Sequence, residues 1–231
     1  IDAAIEAGVK RFLHCSTIGV HGDVAKTPAA EGASFNPGDL YQETKLESEE
    51  YVRSKVGQSD MEIVVIRPCS MYGPGDLRML KMFRMLSKGR FFFLGECQEN
   101  FHAVYIEDVV SAFAKALEVE GIDGEVFIVG GPDGYLPLRD YVGEVAKSLG
   151  AEPPKLTFPY SLFYAAATLC EVICVPFGIE PILHRRRVRF YKNNRAFDTK
   201  KAEHLLQYHP SVSLQEGMKR TVAWYREQGL L

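Results

Sequence analysis

The chain has 231 residues, of which 46% are hydrophobic and 25% charged, with a formal net charge of -3 and a pI of about 6.1. That size and apolar content support one large domain or two modest ones and exclude a mainly disordered chain. The slight acidity excludes a broad electrostatic attraction for nucleic acid, and no nucleic-acid partner is expected.

In chain order, "IDAAIEAGVKR" reads as a short helix stopped at Gly8, followed by the apolar strand "RFLHCS". Residues 19–38, rich in Gly, Pro, Ser and Asp, read as loop. "LYQETKLESEEYVRSKV" is a helix of good formers, and "MEIVVIRPC" is a buried strand stopped by Pro68. The turn "YGPGD", the helix "LRMLKMFRMLSKG" and the short strand "RFFFLG" come next. "HAVYIEDVVSAFAKALE" gives a brief strand and then a helix. "EVFIVGGPDG" is another strand, and "LPLRDYVGEVAKSLG" another helix, with Gly150 as its stop.

Strands alternating with helices of roughly 10–15 residues predict βαβ units and a parallel sheet. The continuous apolar runs "VVI" and "FIV" fit strands covered on both faces. Only three or four good parallel strands are present, so one sheet edge should be unpaired. The chain also starts inside a helix without Met, and the natural N-terminus is expected upstream.

From Pro153 the texture changes. A proline-bounded apolar stretch, "FPYSLFYAAATLCEVICVPFGIEPIL", precedes the basic run "HRRRVR" and a last helix. Glu171, Pro159 and Pro176 interrupt the apolar stretch, so no uninterrupted run of 18 apolar residues predicts a spanning helix. The stretch fits a cap core, a greasy pocket, a subunit contact such as a homodimer, or peripheral membrane contact through residues 158–183. "HRRRVR" reads equally as a solvated basic strand or turn. The five cysteines, an odd number without a CxxC pair, read as reduced and place the protein in the cytoplasm. No cluster of ligands completes a metal site.

Tyr41 and Lys45 lie four apart in "LYQETK" and therefore share one helix face. Oxidising an alcohol with a nicotinamide needs a base for the hydroxyl proton, and a tyrosine ordinarily titrates near 10. A nearby ammonium favours phenolate, so the spacing suits acid/base chemistry, although such pairs also occur on solvated helix faces. Ser16 and Thr17 stand at the C-terminal end of a strand, where open α/β sheets bind ligands.

"CSTIGVHG", then "YQETK", "IRPCSMYGPGD" and "HAVYIEDVVSA", with the tail "NNRAFDTKKAEHLLQYHPSVSLQEGMKRTVAWYREQGLL", resemble the extended short-chain dehydrogenase/reductase family. The apolar stretch resembles its 3β-hydroxysteroid dehydrogenase branch more than the compact sugar epimerases. The resemblance implies an α/β, Rossmann-like parallel sheet with a small, mostly helical substrate-binding cap. Residues 1–75 and 101–150 would form an incomplete NAD(P)-binding domain, and residues 76–100 and 151–231 the cap lobe.

By that resemblance Tyr41 is the acid/base, Lys45 tunes it and holds the nicotinamide ribose, and Thr17 hydrogen-bonds the reacting oxygen. Ser16, Pro68, Cys69 and Ser70 fall on the cofactor side. His21, where many relatives have Tyr, falls on the substrate pocket wall, and Arg187 and Arg189 suit an anionic substrate such as a diphosphate. Arg195, Arg78 and Arg84 are further cations in suitable parts of the chain. The implied activity is hydride transfer with NAD or NADP at a secondary alcohol or ketone. A nucleotide-sugar 4-epimerase and a non-catalytic dinucleotide-binding regulator are the alternatives.

The family's Gly-rich phosphate turn after a first strand is absent from these residues, and "IVGGPDG" lacks its helix-opening spacing. Residues 1–231 alone should therefore bind a nicotinamide dinucleotide poorly. Micromolar affinity in a calorimetric titration would contradict this.

Overall fold

The computed structural model describes residues 1–231. A parallel three-stranded sheet has the order β1 (Arg11–Cys15), β2 (Glu62–Pro68), β6 (Val126–Val129). Val64, Val65, Ile66, Phe127, Ile128 and Val129 are all buried, as strands covered on both faces require. β1 is the sheet's edge, and none of its residues is fully buried. α1 (Asp2–Glu6) leads into it.

A second sheet pairs β3 (Ser70–Tyr72) parallel with β5 (Asn100–Tyr105), and β5 antiparallel with β7 (Tyr135–Pro137). The expected strand "RFFFLG" narrows to β4 (Phe93–Leu94), paired with β8 (Thr157–Phe158). The helices are α2 (Leu40–Arg53), α3 (Leu80–Ser87), α4 (Ile106–Glu118), α5 (Leu138–Leu149), α6 (Tyr160–Cys174), α7 (Arg185–Arg189), α8 (Lys200–Leu205) and α9 (Leu214–Glu227). "HRRRVR" is thus helical where a strand or turn was expected.

Two apolar cores organise these elements. One packs α4, through Val109, Ala112 and Ala116, with β2, β6 and the late residues Phe197, Ala202, Leu206 and Tyr208. The other joins α3, β5, α5 and α9, with Phe83 edge-on to Tyr225 and Phe101 tilted on Tyr141. The packing divides the chain differently from the expected boundaries. Residues 138–149 belong with the helices of the second core, and residues 196–208 return to the first sheet. Apolar faces decide this: Tyr141, Val142, Val145 and Ala146 point one way from α5 and need a partner that α3 and α9 supply.

The glycines of "IVGGPDG" serve close approach. A Cβ on Gly130 would lie 2.3 Å from Nε2 of His102. Burial pushes that imidazole down to about 4, so it packs as a neutral ring.

α6 corrects the expectation about spanning length. It continues through a 3-10 turn, Val175–Phe177, so residues 160–177 form one helical stretch long and apolar enough, by length and composition alone, to cross a membrane. Pro159 precedes the first turn, where proline costs no internal hydrogen bond, Pro176 falls in the closing 3-10 turn, and Glu171 is paired with Arg185.

Asp108, in the first turn of α4, is buried and accepts hydrogen bonds from the backbone N–H of Ser211 at 2.9 Å and of Val212 at 3.2 Å. It fixes the chain entering α9. Asp108→Ala should cost about 2–4 kcal/mol, since bonds to a charged acceptor are each worth about 1.5–3 kcal/mol. Urea denaturation measures this, and an unchanged midpoint would refute it.

Candidate active site

The C-terminal ends of β1 and β2 open onto one cleft of about 1380 Å³. β1 delivers Ser16 and Thr17, and β2 delivers Pro68, Cys69 and Ser70. α2 lies across the same opening and contributes Tyr41 and Lys45. Asp39 caps α2 by accepting from the N–H of Gln42 at 3.0 Å, which sets Tyr41 in the first turn.

Thr17 caps the short 3-10 helix Ile18–His21, its Oγ1 accepting from the N–H of Gly19 at 3.1 Å. That contact leaves the Thr17 hydroxyl proton free to donate into the cleft. Tyr41 is 58% exposed, and its hydroxyl has no protein partner. One turn on, Nζ of Lys45 donates to the carbonyl of Cys15 at 2.5 Å, which ties α2 to the end of β1. The ammonium is thereby held on the strand end that carries Thr17.

Beneath this surface lies a buried ionic cluster. Arg67 on β2 forms a two-pronged pair with Glu49 on α2, both about 1% exposed at the side chain. The Ser16 hydroxyl donates to the same carboxylate at 2.5 Å. Nη1 of Arg67 donates to Nε2 of His21 at 2.9 Å and to the carbonyl of Glu31 at 2.7 Å. An arginine only donates, so Nε2 is the acceptor. His21 then carries its proton on Nδ1, which donates to the carbonyl of Ser34 at 3.2 Å.

Burial, and next the Arg67 charge, hold His21 below its usual range. For Glu49, burial alone would raise the carboxyl, but the Arg67 and Ser16 hydrogen bonds outweigh it and hold it low. Gly22 closes the cluster's loop: its φ is +61, and a Cβ there would sit 1.9 Å from the carbonyl oxygen of Asn36.

The structure therefore brings together Thr17, Tyr41, Lys45, Pro68, Cys69 and Ser70 on one cleft. Ser16 borders it, but its hydroxyl is turned inward to Glu49. His21 does not reach the cleft: it is 0% exposed, with both ring nitrogens engaged inside the cluster, so no substrate contact is open to it. Arg189 lines the cleft, whereas Arg187 points away from it and is exposed.

Residues that the sequence reading passed over include Arg185, Arg186 and Glu171 at the cleft's far side. Arg185 pairs with Glu171 and Arg186 with Asp39, at 3.1 Å for the latter. Arg195 stacks over Phe190 at 4.2 Å, and burial pushes its guanidinium down to about 10. The Glu49–Arg67 pair had a signal: Tyr41, Lys45 and Glu49 recur every four residues, and Arg67 stands alone in an apolar strand.

The sequence pattern described as the NAD dependent epimerase/dehydratase family matches residues 1–130. The chain is 34% identical to the 3beta-hydroxysteroid-dehydrogenase/decarboxylase isoform 1 of Arabidopsis thaliana, over 96% of this chain and 54% of that protein. It is 32% identical to the decarboxylating sterol-4-alpha-carboxylate 3-dehydrogenase erg26 of Schizosaccharomyces pombe, over 80% of this chain and 56% of that one. The chain thus spans about half the length of these curated relatives. Among solved structures, the dTDP-glucose 4,6-dehydratase DesIV of Streptomyces venezuelae, with NAD and TYD bound, superposes with a TM-score of 0.72 at 26% identity. That match covers 98% of this chain and 63% of the other.

Removing one member of a buried pair leaves an uncompensated charge, at a cost of about 3–5 kcal/mol. Glu49→Leu should lose that much stability at neutral pH. In the unmutated protein Glu49 titrates lower folded than unfolded, so its contribution is present above the unfolded value, near 4.3, and disappears as pH falls through the folded one. Melting profiles against pH check both, and an acid limb identical in the variant would refute the assignment.

Proposed function

Because the chain belongs to the NAD dependent epimerase/dehydratase family, we propose that it serves as a nicotinamide-dependent oxidoreductase acting at a secondary alcohol or ketone. The observation that carries this reading is the convergence of Thr17, Tyr41 and Lys45 on one cleft, with Lys45 held to the strand end behind Thr17.

Thr17 donates to the substrate oxygen and fixes it beside Tyr41. Tyr41, with its hydroxyl otherwise unpartnered, takes the alcohol proton during oxidation and returns it during reduction. Lys45, held by the carbonyl of Cys15, offers its remaining protons to ribose hydroxyls. A bound nicotinamide dinucleotide supplies the hydride acceptor or donor. The fit is one-sided. Lys45, Tyr41 and Ser70 suit the nicotinamide ribose, but residues 1–231 have no Gly-rich turn that opens a helix after β1, β2 or β6, so they offer no pyrophosphate cradle of that kind. NAD, the dinucleotide in the family's description, is the favoured cofactor over NADP.

A hydrophobic alcohol of the sterol class is the substrate supported by the two curated relatives. A nucleotide sugar is the second reading, favoured by Arg185, Arg186, Arg189 and Arg195 on the cleft wall, which suit a diphosphate. The hydride chemistry is common to both.

In the full-length protein, Tyr41→Phe should lower kcat about 10²–10⁴-fold, the usual contribution of a positioned acid/base, with dinucleotide affinity falling at most about tenfold for the lost ribose contact. Steady-state turnover and a dinucleotide titration measure the two. An unchanged kcat would remove Tyr41 from the mechanism.

A further inference from the structure

α6 is built inside out. Two of its polar side chains face the protein: Glu171 binds Arg185, and the Tyr164 hydroxyl accepts from Arg189 at 3.1 Å. Phe163 packs inward on Phe92 and Phe158, and Ala167 is the helix's only buried residue. The opposite stripe holds Leu162, Ala165, Ala166, Leu169, Val172 and Ile173, all exposed and spaced three or four apart along one face. Of these, Leu169 is 61% and Val172 64% exposed. The apolar surface runs on through Val175, Phe177 and Ile179 to Ile182, which is 90% exposed. From Leu156 to Ile179 the only charged side chain is Glu171, and it is turned inward.

A basic edge borders this face. Residues 180–189 carry four arginines against the single Glu180, although Arg185 and Arg186 are paired with Glu171 and Asp39 from outside the segment. Arg185, Arg186 and Arg189 border the cleft, while Arg187 is exposed and makes no ion pair.

We infer that this face docks on the surface of an anionic phospholipid bilayer. The helix lies in the interfacial plane, with its apolar stripe among the acyl chains and Arg187 at the headgroups. It lies on the membrane rather than across it. Length and composition alone would allow residues 160–177 to span, but the inward face stays packed on the protein through Phe163 and Ala167, and Glu171 is paired with Arg185. A second copy of the chain is the poorer occupant. A twofold contact through this face would bring the arginine segments of both copies into one interface, whereas anionic headgroups complement them. Docking also sets the cleft beside lipid, since its Arg185, Arg186 and Arg189 sit next to this helix. That opens a direct path for a greasy alcohol, a consequence that rests on the oxidoreductase reading.

The test is flotation of the full-length protein with phosphatidylcholine vesicles and with mixed phosphatidylcholine and phosphatidylserine vesicles, at low and high salt. The protein should float with the mixed vesicles and less so at high salt. The double variant Leu169→Glu/Ile173→Glu should bind at least about tenfold more weakly, given the area of the two side chains. Its circular dichroism and melting temperature should be unchanged, because both positions are exposed. Arg187→Glu should abolish the preference for phosphatidylserine. The inference is overturned if the protein stays unbound with both vesicle types. It is also overturned if the same double variant instead dissociates a dimer seen by sedimentation. No readout depends on turnover, so an inactive Tyr41 would leave the result standing.

Discussion

The buried pair of Arg67 and Glu49 holds the cleft in shape, because it is the point where three independent segments meet. Arg67 comes from the central strand, Glu49 from the helix that carries Tyr41 and Lys45, and Ser16 from the turn that carries Thr17. Two charges removed from water are tolerable only when their geometry and remaining hydrogen bonds are satisfied. Here both carboxylate oxygens and four guanidinium contacts are used, with the Phe35 ring 5.0 Å from the guanidinium carbon. A small rotation of α2 would break that pattern, so the cluster fixes the helix's angle and with it the direction of the Tyr41 phenol. Lys45, bonded to the carbonyl of Cys15, is a second tie on the same helix one turn nearer the cleft.

Much of this was legible in the residues. The continuous apolar runs of β2 and β6 predicted strands covered on both faces, and Gly150 ends α5 with a φ of +73 as a helix stop should. The hydroxyl after β1 and the Tyr-Lys spacing pointed to one edge of the sheet, and Thr17, Tyr41 and Lys45 do line one cleft there. What the sequence hid was direction. His21 sits four residues after Thr17 and reads as a pocket wall, yet the tight turn at Gly22 folds it under the loop, against Arg67. Arg187 and Arg189 are two apart, and on a helix two residues diverge, so one borders the cleft and the other does not. An expected strand or turn carries no such rule, which is why the basic run could not be assigned by position alone.

The lobe boundaries were hidden for a related reason. Periodicity identifies an apolar face but not the element that covers it. α5 follows a strand of the second sheet and could have packed on either layer. Tyr141 and Val145 find α3 and α9, while Phe197, Ala202, Leu206 and Tyr208, far along the chain, complete the first core. The apolar face of α6 is the converse case, with the strongest hydropathy signal in the chain and no protein layer over it.

The late return of residues 196–208 to the first sheet bears on how the chain is made. During synthesis the central strands emerge early, yet the side chains that close one of their faces arrive only after α3, β5, α5 and α6 have left the ribosome. Contacts of such long sequence separation form slowly, and exposed apolar strands invite association in the meantime. Vectorial folding therefore cannot close the first core before residues 196–208 have emerged.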